Sequence, residues 1–267
     1  MATKTKEKKT FYVVLAIILS VVVLGLTSLL IFGIANKGSF RFGFNGDNVS
    51  SNLAFENEYP IAEIEKMDIN VKAGKVAVRG TESDVATVKF YAKRTDDAVV
   101  KNEAGTLKIE DRSEECHFFC VNWEGVSVEL YLPSSYAGEI KVDSNFGRVA
   151  VDDFNVATLI VDSSAGDVEL GSAKNIDASL SMGKLTVKDC FGKIRIKNSM
   201  GDVEINSLHL TEDSSISLSM GNVRIDHVGD VDVKADVDMG NKNVNGGNDA
   251  SSVKLYVDNS MGNISVH

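Results

Sequence analysis

The chain has 267 residues, with 28 Lys and Arg against 38 Asp and Glu, 43% hydrophobic residues, 22 Gly and 2 Pro. The apolar content excludes a disordered chain, the absence of a three-residue glycine period excludes collagen, and a net charge of −10 repels nucleic acid. The charge is uneven: residues 1–10 sum to +3, residues 11–34 carry none, and everything after them holds −13.

Residues 1–10 read as a basic cytoplasmic tail carrying Lys4, Lys6, Lys8 and Lys9. The 24 uncharged residues 11–34 predict a transmembrane helix, because about 20 apolar residues cross the hydrocarbon core and a lone segment in lipid must satisfy its amides as a helix. The preceding lysines place the amino terminus in the cytoplasm and the rest of the chain outside, as a single-pass protein of the cell membrane. A cleaved signal peptide is the alternative, with Gly33 and Ala35 as small residues at a peptidase site. Residues 35–60, with Gly38, Gly43 and Gly46, read as a juxtamembrane linker.

Residues 61–135 form a less regular β-rich part, with strands expected over 67–71, 75–78, 85–91, 106–109 and 126–132. Pro60 and Pro133 stand at segment edges, and Gly74 and Gly105 echo a glycine turn that recurs later. Cys116 and Cys120, in an exported domain, are close enough for a small disulfide loop; a reduced pair is open, and zinc with His117 lacks a second Cys/His pair. Cys190 reads as a small buried hydrophobe.

Residues 136–267 are a repeat. Gly147, Gly166, Gly183, Gly201, Gly221, Gly240 and Gly262 follow one another at steps of 19, 17, 18, 20, 19 and 22 residues, with alternating apolar runs before and after. Alternation at period two means strands with one buried face, so each unit is strand, glycine corner, strand, and stacked units share a core. A glycine at every corner suggests positive φ or a turn too tight for a Cβ. The preceding position holds Phe146, Ala165, Met182, Met200, Met220, Met239 and Met261. A methionine ladder for soft Cu(I) is one reading; the preferred one is an apolar stack filling the coil interior, since Phe and Ala replace Met without breaking the pattern. The acids of 226–238 and the turn Asn245–Asp249 invite calcium, but the acids alternate with Val and project from one strand face. No catalytic motif, cofactor fingerprint or histidine pair at ligand spacing occurs.

The run Leu130-Tyr131-Leu132-Pro133 followed by units such as Ser164-Ala165-Gly166-Asp167-Val168 and Ser199-Met200-Gly201-Asp202-Val203 resembles the bacterial putative adhesin family, a domain-of-unknown-function group of β-strand repeat proteins. The resemblance covers about residues 60–267 and implies an envelope-associated β-solenoid; its motif carries no catalytic residues. The expected architecture is therefore an all-β parallel β-solenoid or β-helix behind one transmembrane helix. The expected role is a non-enzymatic binding or scaffold protein of the cell envelope, needing no cofactor. Its partner would be an envelope protein or a cell-wall or surface polymer. The competing reading is a β-helix enzyme acting on cell-wall polysaccharide, which acids and basic residues aligned at one register over three or more coils would favour. Ile264–Val266 ends the chain without a polar cap, so self-association through this carboxyl-terminal solenoid edge is expected.

Overall fold

The computed structural model describes residues 49–113, 124–154 and 156–267. The basic tail, the segment 11–34, most of the linker and the Cys116/Cys120 pair lie outside the described residues. Among the described residues no helix is long and apolar enough to cross a membrane.

The described chain is all β. Its strands are β1 Leu53–Pro60, β2 Lys66–Thr81, β3 Val85–Tyr91, β4 Ala98–Glu103, β5 Thr106–Asp111, β6 Val126–Pro133, β7 Glu139–Val151, β8 Val156–Ala165 and β9 Val168–Met182. They continue as β10 Leu185–Met200, β11 Val203–Leu208, β12 Ser214–Met220, β13 Val223–Val228, β14 Asp232–Met239, β15 Lys242–Val244, β16 Lys254–Met261 and β17 Ile264–Val266. Residues 53–60, expected to be linker, instead form β1, which pairs antiparallel with β3. Pro60 and Pro133 each end a strand, where a missing amide donor costs little.

Each rung is two strands meeting at a glycine corner, and rungs stack in parallel register. From β2 the stack runs through β7, then β8 with the start of β9, the rest of β9 with the start of β10, the rest of β10 with β11, and β12 with β13. One inward column reads Ile69, Val142, Val161, Ala178, Ile196, Ile216, and a second, on the other face, reads Val76, Val149, Val168, Leu185, Val203, Val223. These residues are fully or almost fully buried and belong to one continuous core from Ile64 to Val266, with no break near residue 135. The short strands expected from period-two alternation thus bury their apolar faces by stacking.

The order of rungs departs from the order of the chain at both ends. Strands β5 and β6 lie on the outer side of β2, and β7 on its inner side. That end is covered by antiparallel strands, β4 on β5 and β3 on β6. At the other end, β16 pairs with β12 on one side and β14 on the other, while β17 lies between β13 and β15. The last rung of the sequence is therefore inserted beneath the one before it. Ile264–Val266, expected to be an open edge, has a strand on each side; the outer rung is β14 with β15. Lys234, Asp236 and Asp238 are exposed along β14, and such charges on an edge strand discourage pairing with another chain.

Candidate functional site

The corner is built from three ladders. All seven repeat glycines have φ between 131° and 147°, as does Gly74 at 145°. A Cβ on Gly201 would lie 2.0 Å from the carbonyl oxygen of Gly183, and one on Gly262 would lie 1.7 Å from that of Gly221. Each corner thus needs glycine twice, for its dihedral and for the backbone stacked against it. Gly105 differs: with Ala104, also at positive φ, it forms the two-residue turn between β4 and β5 rather than a solenoid corner.

The residue after the glycine carries a polar ladder. The Asn222 amide nitrogens donate to Asp202 Oδ1 at 2.8 Å from the backbone and 3.0 Å from the side chain. Asn263 donates likewise to Asn222 at 3.1 and 2.9 Å, and Asn241 to Asn263 at 3.1 and 3.3 Å. Buried Asn198 and Asn259 brace the corner from inside, Asn259 donating to the Gly221 carbonyl at 2.8 Å.

The residue before the glycine corrects the sequence reading. Met182, Met200, Met220, Met239 and Met261 are 41–58% exposed, as is Phe146, and Ala165 is half-buried, so these positions are not core. The pairings Met182 to Met200, Met200 to Met220, Met220 to Met261 and Met261 to Met239 place the five methionines in one unbroken outward row. The methionine that does fill the core is Met67.

Two shallow grooves flank the stack. The larger, about 800 Å³, runs past Asp152, Asp153, Glu169, Lys184, Lys188 and Glu204. Its two lysines are paired: Lys188 bonds Asp153, to which Ser172 also donates at 3.2 Å, and Lys184 meets Glu204 at 2.7 Å. The Lys188 ammonium and then the Ser172 hydroxyl hold the Asp153 carboxyl below its ordinary range, against the loss of hydration, which is the reverse of what a general acid requires. The smaller groove, about 490 Å³, includes Asp143, Asp162 and Lys197, with the buried hydroxyls of Ser144 and Ser163 nearby, which meet no partner in the protein. Asp162 is held above its ordinary value, first by lost hydration and then by Asp143 one rung away, while Lys141 pairs with Asp143 at 2.7 Å.

The remaining candidates are dispersed. Cys190 is buried, and burial pushes its thiol up. His209 stacks on Phe191 at 5.7 Å and shares a hydrogen bond with Ser207, and His267 shares one with Ser265. Asn248, in the turn Asn245–Asp249 for which calcium is the less favoured reading, donates to Asp230 at 2.7 Å, tying the crossover between β15 and β16 to the loop ahead of β14. Among the described residues no three His, Cys, Asp or Glu side chains gather to hold a metal.

Stacked two-strand rungs turning at a glycine ladder define a β-solenoid-like protein. The chain belongs to the Toastrack DUF4097 family, whose model matches residues 64–267. Among solved structures it is similar to a putative cell adhesion protein from Clostridium sporogenes, at 16% identity over 79% of this chain and 98% of that one, with a TM-score of 0.41. A putative adhesin from Bacteroides fragilis matches at 15% identity over 82% and 98%, TM-score 0.44, and one from Parabacteroides distasonis at 12% over 79% and 96%, TM-score 0.42. No curated protein matches the chain.

Proposed function

We propose that this is a membrane-anchored, extracytoplasmic solenoid that binds or scaffolds a partner in the bacterial cell envelope and turns over no substrate. The uncharged segment 11–34 behind a +3 tail supports the anchor and its orientation. The observation that carries the binding role is the composition of the outward columns. One reads Asn70, Asp143, Asp162, Ser179, Lys197, Ser217, Asp258, Asp236. Among the described residues no register carries an acid on three successive rungs, or a base on three, the alignment that would favour the enzyme reading. Asp143 and Asp162 stand on adjacent rungs of that column, and Asp143 also pairs with Lys141 at 2.7 Å. What remains is a polar, mixed-charge surface with an acidic excess, suited to contact rather than chemistry.

The full chain is expected to fractionate with the bacterial membrane, to be degraded by protease added outside intact cells from which the outer barrier has been stripped, and to cosediment with isolated cell walls without releasing soluble sugar. A cytoplasmic, protease-shielded domain would refute the topology. Sugar release that Asp162→Asn abolishes would replace binding with the enzyme reading.

A further inference from the structure

The outward methionine row is unexplained by the fold. Phe146 and Ala165 occupy the same corner position on neighbouring rungs, so the solenoid does not need methionine there. Five consecutive rungs nevertheless carry it, and the inserted last rung makes them consecutive, by setting Met261 between Met220 and Met239. Leaving five methionine side chains about half exposed forgoes part of the stabilisation that burying apolar surface brings.

We propose that this row is a binding site for a soft monovalent cation, Cu(I) or Ag(I), with Met200, Met220 and Met261 as the central ligands. Thioethers are soft donors that select such ions over harder divalent metals. In-register parallel strands set successive Cα atoms about 4.8 Å apart. A metal–sulfur bond of roughly the length found at thiolate sites, about 2.3 Å, lets one ion bridge two sulfurs about 4.6 Å apart, a separation that side chains on neighbouring rungs can adopt. A third thioether reaches the ion by turning about the three torsions of its side chain. The −13 charge beyond residue 34 draws cations to the surface. Since a thioether has no proton to lose, binding here is insensitive to pH, unlike sites of cysteine or histidine.

The full chain in the Cys116→Ser/Cys120→Ser background, which removes competing thiols, is titrated with Ag(I), and with Cu(I) buffered by a chromophoric chelator. It is expected to withdraw the ion from the chelator equally at mildly acidic and neutral pH, to show sulfur-only coordination by X-ray absorption, and to ignore Zn(II). Met200→Leu, Met220→Leu and Met261→Leu should each weaken binding about tenfold or more, the scale on which altered metal shells act, while leaving the thermal melt unchanged because these side chains are exposed. Cys190→Ser should bind normally. Retained affinity in the triple Leu variant, binding that falls as the pH drops, or equal uptake of Zn(II) would each overturn the proposal.

Discussion

Tyr136 shows how a single side chain ties the two ends of a rung-to-rung contact. It is almost wholly buried, and its hydroxyl shares its one proton between the carbonyl oxygens of Glu65 at 3.1 Å and Glu139 at 3.0 Å, just ahead of β2 and at the start of β7. Burial first, and the Glu139 charge second, raise its ionisation far above that of a free tyrosine. The folded protein therefore keeps the proton that the unfolded chain gives up near pH 10, so this contribution is complete below that pH and declines as the pH climbs past it. Tyr136→Phe should cost about 1 kcal/mol at neutral pH in a denaturant melt and flatten the stability loss in strong alkali. The methionines were misread at this same scale. Leu180 points inward, and strict alternation from it turns Met182 inward; yet Leu185, also inward, lies five residues on, an odd step that alternation forbids. The phase slips between Ser181 and Met182, just ahead of the positive-φ Gly183, so both Ser181 and Met182 face water. That parity mismatch was present in the sequence and marks the slip without saying on which side of it the methionine falls.

Within an element, the corner does more than reverse the strand direction. The glycine corners stack rung on rung, and from Asp202 to Asn241 an asparagine ladder ties successive rungs through backbone and side chain, holding the register that keeps apolar columns inside. Gly201→Ala combines φ of 131° with a Cβ driven against the Gly183 carbonyl, and should destabilise by roughly 3 kcal/mol or more, or prevent folding. Gly80→Ala is the control: its Cβ finds neighbours only at 3.7 Å and its φ is ordinary, so its melt should move little. The glycine period made the corners legible from sequence, because one residue type satisfies both demands in every rung. The asparagines read as local turn formers, whereas their partners lie one rung away, at distances in sequence of 20 and 41 residues. The strands β1 and β4 escaped notice because each covers only an end of the stack and is largely exposed, which erases the alternation.

Across the whole molecule, the all-β stack was legible and the order of its last rungs was not, since Met220, Met239 and Met261 sit in near-identical motifs. Two features nonetheless encode that order. Lys242 occupies the column that Val223 and Ile264 fill below it, so its rung is tolerated only where nothing covers it. The stretch 245–253, between β15 and β16, supplies the length needed to step back, its Asn248 bonded to Val231. Removing residues 245–267 should leave a folded solenoid in which 232–244 drop onto β12 and β13, with Val233 over Ser214 and Ala235 over Ile216. Hydrogen exchange should show 232–244 still protected, and rapid exchange there would refute this. The inserted rung then has a consequence in time. A chain made from its amino terminus presents residues 232–244 to the open end of the stack before 254–266 exist, and both fit the same seat. Where 232–244 dock first, the native arrangement requires 254–266 to displace them outward, so the pace of synthesis relative to docking sets how often that exchange has to happen.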